Sequence, residues 1–365
     1  MRVLHYFPQD NSMISAYVSK LCESMGLECL NEKVTDSSEA QQHLRQSHYD
    51  ILHLHGCWRN SSYLVARQAF AQGTRLIVSP HGQLEPWEMD DGYWKEKLPK
   101  RLLYQKHLIQ QAYAVVIQGK MEEECLRKLG WNPRAVIIKN ALITHSTTLQ
   151  QMASQTFRLY RKVMDSNPWQ LMSDELKSIA QQYLKVGITG DVRWMGDERY
   201  PAPSTQEDWR LLLCYAHQEQ LMEPLRQGLR IMGIEAPDLD LERIDCFYPD
   251  GYEAPKSIES VIGMMFASEN DRLMATFRHL RKLVLRRQLA MMHLIELDKE
   301  LRHHTCDEEL LAETLKEQNL YKLAGRLMQV MQTLTGFTEG FMPVPPLNDR
   351  LAKALQKQVE NHLKI

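Results

Sequence analysis

The chain has 365 residues, of which 44% are hydrophobic and 25% are charged, the balance of a soluble globular protein rather than of a disordered or fibrous one. With 44 Lys and Arg residues against 46 Asp and Glu residues, the formal net charge is -2, so no nucleic-acid partner is expected. The length suffices for two ordinary domains.

The first 145 residues alternate between short apolar segments and amphipathic segments. Period-two and helical spacing predict strands over residues 3–7, 27–34, 51–55, 75–79, 113–117 and 135–139, and helices over residues 12–25, 38–46, 60–72, 97–111 and 121–129. Strands that alternate with helices form parallel sheets through right-handed crossovers. The pattern therefore predicts an α/β domain, a doubly wound parallel sheet over residues 1–145, with ligands beyond the carboxyl ends of its strands.

Residues 146–365 have a different pattern, in which helical spacing dominates. Apolar residues recur at helical spacing over residues 209–232, and residues 269–303 are predicted to form either one long helix or two broken ones. Turn-rich segments are predicted over residues 187–203 and 233–255. The segment 185–189 (KVGIT) is the one convincing strand candidate after residue 140. We therefore expect a mainly α-helical second domain over residues 146–365, without a second doubly wound sheet.

Histidines follow two neighbouring predicted strands. His55 precedes Gly56 and His81 precedes Gly82, so the backbone can turn sharply beside each imidazole. His53 lies two residues before His55 and points to the same side of the sheet. The alternative is that these histidines pack and hydrogen-bond locally. No metal site is expected, because no Cys/His cluster and no carboxylate at ligand spacing is found.

The segment 79–87 (SPHGQLEPW) combines groups suited to sugar chemistry. Its two prolines and one glycine define a loop. His81 offers a possible base, Glu85 a carboxylate and Trp87 an apolar face on which a sugar ring can stack. These residues make the loop the leading candidate for a substrate-binding segment.

Residues 50–58 (DILHLHGCW), 79–87, 122–127 and 136–140 together resemble the N-terminal domain of family-4-type glycosyltransferases, over about residues 1–145. The resemblance implies a GT-B fold, with the acceptor in the N-terminal domain, a nucleotide-sugar donor in the C-terminal domain and no bound cofactor. It implies that His81 is catalytic, beside the reacting sugar. The implied substrate-binding residues belong to the same two loops: His55, Gly56, Trp58, Gly82, Glu85 and Trp87.

The chain also departs from this family. Residues 8–12 (PQDNS) contain no glycine where a glycine-rich turn is usual, and the donor domain's motifs are not found in context. The helical region therefore replaces or reduces the donor domain. Two hypotheses stay open. One is an enzyme that transfers a sugar from a nucleotide-sugar to a saccharide or lipid-linked acceptor in surface polysaccharide biosynthesis; the other is a non-catalytic relative that binds a glycan or pairs with an active glycosyltransferase.

A basic stretch over residues 272–287 concentrates arginines and lysines on one predicted helix. It is interpreted either as a docking face for an anionic membrane surface or a phosphate-bearing lipid acceptor, or as a solvated helix face. The N-terminus lacks a signal-peptide pattern, and the seven cysteines include no Cys-x-x-Cys pair. A cytoplasmic location is therefore expected, with peripheral contact at the inner membrane face as one option.

Overall fold

The computed structural model describes residues 1–26, 29–192, 202–263, 265–303 and 306–364. They form two compact units. Unit 1 comprises Met1–Ser166 with Asp245–Phe247, and unit 2 comprises Asn167–Ile244 with Tyr248–Ile365. Unit 1 thus continues beyond residue 145, because the helix over residues 149–165 packs within it.

Within the described part of unit 1, six strands pair in parallel in the order β2-β1-β3-β4-β5-β6. They are β1 (Arg2–Tyr6), β2 (Leu30–Val34), β3 (Ile51–His55), β4 (Arg75–Ser79), β5 (Ala114–Ile117) and β6 (Ala135–Ile137). The predicted doubly wound sheet is confirmed; residues 27 and 28, where the second strand was predicted to begin, lie outside the described residues. The connections reverse direction between β1 and β3, which is where ligands of such folds bind.

The helices of unit 1 begin and end at local signals. They are α1 (Ser12–Ser24), α2 (Ser37–Gln46), α3 (Asn60–Ala71), α4 (Pro86–Asp90), α5 (Leu98–Lys100), α6 (Lys106–Gln111), α7 (Lys120–Leu129) and α8 (Leu149–Asp165). Helix α2 is capped at its N-terminus by Asp36, whose side chain accepts from two backbone N–H groups, and α7 is capped at its C-terminus by Gly130 in the left-handed region. Around α5, residues 93–97 and 101–105 form π-helical turns, so residues 93–111 are one helical stretch.

The two faces of the sheet differ in chemistry. One face packs against α2, α3, α6 and α7 through an apolar core whose buried strand members are Leu4, Tyr6, Val34, Leu52, Leu54, Leu76, Val78, Val115 and Ile117. The opposite face, beneath α1 and α8, carries buried histidines that alternate with these residues along β1 and β3. The sheet therefore buries a polar layer on one side only.

Unit 2 contains no strand among the residues that the structure describes, and the predicted mainly helical second half is confirmed. Its helices are α9 (Asp174–Thr189), α10 (Gln206–Gln218), α11 (Met222–Met232), α12 (Ile258–Ile262), α13 (Glu269–Arg286), α14 (Met291–His303), α15 (Glu308–Glu317), α16 (Tyr321–Leu334) and α17 (Arg350–Glu360). Part of the predicted turn-rich segment 187–203 lies outside the described residues. Of the two arrangements predicted for residues 269–303, the structure has the two separate helices, α13 and α14.

The predicted strand over residues 185–189 is wrong, because these residues form the last turn of α9. The β-branched side chains in this segment favour a strand, but its glycine meets another helix. A Cβ atom at Gly187 would lie 1.8 Å from the Pro224 carbonyl oxygen, and one at Gly228 would lie 2.0 Å from the Tyr183 carbonyl oxygen. The helices α9 and α11 therefore cross in backbone contact, and this packing overrides the local preference for a strand.

Candidate functional site

Two loops at the carboxyl ends of β3 and β4 contain unusual backbone conformations. Gly56 has φ 90° and Gly82 has φ 84°, which glycine adopts without strain. Trp58 has φ 67° and His81 has φ 56°, where a side chain is strained. Strained residues of this kind concentrate at functional sites. The two loops predicted from the sequence to bind substrate therefore each hold one bulky residue, Trp58 or His81, in a strained backbone conformation.

One chain of hydrogen bonds crosses the sheet from the end of β5 to β2. The Gln118 side-chain nitrogen lies 2.9 Å from His81 Nδ1, and His81 Nε2 lies 3.0 Å from His55 Nδ1. His55 Nε2 lies 3.0 Å from His5 Nδ1, and His5 Nε2 lies 3.1 Å from the Asn31 side-chain oxygen. Three imidazoles from β1, β3 and the loop after β4 are thus joined in series.

The hydrogen bonds at the two ends of this chain fix the same direction of proton donation along it. The Asn31 side-chain nitrogen donates to the Cys29 carbonyl oxygen at 3.0 Å, so its oxygen accepts from His5 Nε2. At the other end, the Gln118 amide nitrogen donates to His81 Nδ1. Each histidine of the chain therefore carries its proton on Nε2 and accepts at Nδ1. With this tautomer every ring nitrogen of the series has a partner, and none needs a charge.

Burial keeps these imidazoles neutral. It lowers the pKa of His5 to about 4 and the pKa of His81 to about 4, and it lowers the pKa of His53 and of His55 well below the usual value. His53 lies beside the chain, with Nδ1 2.6 Å from the Tyr160 hydroxyl and Nε2 2.7 Å from the Ser79 hydroxyl. At neutral pH the whole layer is a network of uncharged hydrogen bonds.

The expectation that no Cys/His cluster exists is wrong. Potential ligand atoms of His5, His53 and His55 all lie within 4.8 Å of one another, because the pairing of β1 with β3 places His5 opposite His53. The ring of His55 stacks on that of His5 at 15° and on that of His53 at 29°. Their nitrogens are also engaged in hydrogen bonds, so the chemistry of this cluster is that of a hydrogen-bonded array.

A buried carboxylate fastens the loop that carries His81. Glu122, on the first turn of α7, accepts from the Gly82 backbone N–H at 2.9 Å and from the Gln118 backbone N–H at 3.2 Å. Burial raises the pKa of this carboxyl. Glu122 thereby ties the loop after β4 to the loop after β5, which brings Gln118 within reach of His81.

Replacing Glu122 by Gln is expected to lower the free energy of unfolding by about 1–3 kcal/mol, because an amide can accept with only one of its two terminal groups and leaves a buried N–H without a partner. Urea unfolding measures the change. Glu124→Gln, on the exposed side of the same helix, is the matched control and should stay within about 0.5 kcal/mol of the unsubstituted protein. Equal effects of the two substitutions would contradict this account of the anchor.

The other residues predicted to bind substrate differ in how far they are exposed to solvent. The Glu85 carboxyl stands beside Gly82, 3.7 Å from where a Cβ atom would be. Trp87 is 56% exposed and presents an open ring, whereas Trp58 is 8% exposed and its indole N–H donates to the Gln83 carbonyl oxygen at 3.0 Å. The loops therefore bring together the histidines, the glycines and Glu85, and Trp58 packs into the apolar core.

The loop after β1 is held by charge rather than by glycine. Asp10 forms an ion pair with Arg59 at 2.6 Å, and this guanidinium lowers the pKa of Asp10. Asn11 accepts from the Ile14 backbone N–H and starts α1. The ion pair joins the loops after β1 and β3, at the switch point of the sheet.

The family of the first unit follows from a comparison with known proteins. Residues 26–141 match the family model of the glycosyl transferase 4-like domain. The match spans the two strained loops, the segment of Glu122 and most of the sheet, and it shows an N-terminal domain of the family-4 GT-B type, as the resemblance predicted. No curated protein and no solved structure matches the chain.

Proposed function

From the glycosyl transferase 4-like domain at residues 26–141, we propose that this glycosyltransferase-like protein transfers a sugar from a nucleotide-sugar to a saccharide or lipid-linked acceptor in surface polysaccharide biosynthesis. The observation that carries the proposal is the anchored loop of His81. In this loop His81 has a strained backbone and bonds to His55, and the Gly82 N–H is held by Glu122. These contacts fix the loop at the carboxyl ends of the strands, where ligands of such folds bind.

The direction of the hydrogen-bond chain suggests a role for His81. Its Nδ1 accepts from Gln118, and a sugar hydroxyl can replace that donor without reversing any other bond. A pKa of about 4 makes the imidazole a weak base, so we assign it the role of an acceptor that orients a substrate hydroxyl. Burial and Glu88 raise the pKa of Glu85, which suits a carboxyl group that hydrogen-bonds a sugar.

The other predicted substrate-binding residues take supporting roles in this proposal. Trp87 offers its exposed face to a sugar ring. Gly56 and Gly82 allow the backbone to approach the ligand, and His55 positions His81 through its Nδ1. Trp58 shapes the wall through its contact with Gln83.

A second candidate function is favoured by unit 2. A GT-B donor domain is doubly wound, whereas the described residues of unit 2 contain helices and no strand. In this alternative the protein is a non-catalytic relative, which binds a glycan or completes its site with a partner glycosyltransferase. The nucleotide-sugar distinguishes the two functions, because only the enzyme needs a donor site of its own.

Calorimetric titration with a panel of nucleoside diphosphates and nucleotide-sugars tests the proposal. We expect micromolar binding of a nucleotide-sugar that weakens in His81→Ala, with His48→Ala as the control, since the His48 side chain is 76% exposed. Binding in the first variant equal to that of the control would contradict the role of His81. A full absence of heat, with and without acceptor saccharides, would favour the non-catalytic function.

We also propose a peripheral location at the inner membrane face. No described helix is long and apolar enough to span a bilayer. On α13, Arg272 pairs with Glu300 at 3.0 Å and Arg278 donates to Gln318 at 2.8 Å, so part of the basic stretch serves its own fold. Its exposed basic residues cluster at the C-terminal end: Arg281, Lys282, Arg286 and Arg287. This end is the part of the stretch suited to contact anionic lipid.

A further inference from the structure

The helical stretch over residues 93–111 exposes large apolar side chains. Trp94 is 78% exposed, and Leu102 and Leu103 are each 76% exposed. We refer to these three residues as the exposed apolar cluster. The same stretch buries Tyr104, Leu108 and Ile109, so it is already fixed to the unit through its other side. The cluster is therefore a second apolar surface of this stretch, separate from the side that is buried in the unit.

Helix geometry accounts for the shared exposure of these side chains. Two π-helical turns, over residues 93–97 and 101–105, flank α5 and widen the spacing to more than four residues per turn. Trp94 and Leu102 are eight residues apart, which is about two such turns, and Leu103 follows directly. The cluster thus lies along one side of the stretch.

Two exposed lysines, Lys95 and Lys106, flank the cluster. The other nearby cations are engaged within the fold: Lys97 is buried beside Glu88, Lys100 pairs with Glu96, and Arg101 donates to the Tyr93 hydroxyl. Exposed Trp and Leu side chains flanked by lysines are the composition of helices that lie in the interface of an anionic bilayer.

We propose that the exposed apolar cluster inserts into the headgroup region of an anionic membrane, with Lys95 and Lys106 paired to lipid phosphates. An anionic lipid surface is favoured over a second copy of the chain, because the exposed Lys95 and Lys106 of one copy would repel those of another. The exposed end of α13 has four cations but Leu285 as its one strongly exposed apolar side chain, which suits attraction rather than insertion. Unit 1 therefore supplies the inserting element.

This inference goes beyond sugar transfer and is tested without any nucleotide or sugar. The full chain is sedimented with vesicles of phosphatidylcholine alone and of equal parts phosphatidylcholine and phosphatidylglycerol. We expect binding to the anionic vesicles and at least about tenfold weaker binding to the neutral ones. The triple substitution Trp94→Gln, Leu102→Gln, Leu103→Gln should reduce binding to anionic vesicles by at least about tenfold.

A matched control distinguishes loss of membrane insertion from a general effect of making the surface of unit 1 more polar. Leu30→Gln with Ile143→Gln replaces two residues of the same unit that are 63% and 60% exposed, and it should leave vesicle binding unchanged. Circular dichroism and the unfolding midpoint confirm that each variant is folded. In Trp94→Phe the protein should still bind, while the blue shift of tryptophan fluorescence on binding becomes smaller.

Three results would overturn the proposal. One is that the unsubstituted chain binds neither type of vesicle. Another is that the triple variant binds like the control, while Arg281→Gln with Lys282→Gln and Arg286→Gln abolishes binding, which would assign attachment to α13. The third is concentration-dependent dimerisation that the triple substitution removes, since a second copy would then cover the cluster.

Discussion

Lowering the pH from 7 to 5 is expected to destabilise unit 1 by several kcal/mol, because its buried histidines must stay neutral in the folded state. Burial lowers the pKa of both His5 and His81 to about 4, against 6.5 in the unfolded chain. Below pH 6.5 the unfolded state binds more protons, so stability falls with falling pH until the folded pKa is reached.

The size of the expected loss in unfolding free energy follows from the pKa shifts of these histidines. By pH 5, each of His5 and His81 accounts for a loss of about 2 kcal/mol. His53 and His55 act in the same direction, since burial lowers the pKa of both. Glu122, which faces the loop of His81, acts in the opposite direction, because burial raises its pKa. Four histidines oppose this one carboxyl group, so the net effect of lowering the pH is a loss of stability.

Urea unfolding across this pH range measures the loss, with a probe in unit 1 such as the fluorescence of Trp58. Proton NMR of the imidazole groups tests the cause directly: the signals of the four histidines should not titrate between pH 8 and 5. Single His→Gln variants identify each signal. Titration of these signals near pH 6.5 would show that the layer is hydrated and that the pH dependence has another origin.

Gly187→Ala is expected to destabilise unit 2 by about 3 kcal/mol or more, since the added methyl group has no space. Its Cβ atom would lie 1.8 Å from the Pro224 carbonyl oxygen, so α9 and α11 must separate by more than an ångström. Backbone atoms cannot rotate away as a side chain can. Separation would also loosen the apolar side chains that the two helices bury, among them Leu184 and Leu225.

Thermal and urea unfolding of the purified variant measure this effect. Gly340→Ala is the matched control, because a Cβ atom there meets no atom within 4 Å, and its effect should stay within about 0.5 kcal/mol. If Gly187→Ala were as stable as the control, the crossing of α9 and α11 would have to be wider than the structure has it.

The sequence by itself determined the elements whose signals are local. Strand alternation and helical spacing predicted the six strands of the sheet, and Asp36 and Gly130 mark helix ends through hydrogen bonds made within a few residues. The two loops of the candidate site were also recognisable. Histidine followed by glycine at the end of a buried strand is a local pattern, and parallel strands bring their carboxyl ends together.

Only the tertiary structure decided which distant residues meet. His5 joins His55 across 50 positions, and Glu122 reaches Gly82 across 40 positions, because strand order and register set these pairs. Neither residue carries a spacing that marks its partner. Gly187 shows the converse, since its neighbours favour a strand and contact with α11 places it in a helix. Local propensities amount to a few tenths of a kcal/mol per residue, whereas burial and close packing are worth several, so packing prevails where the two disagree.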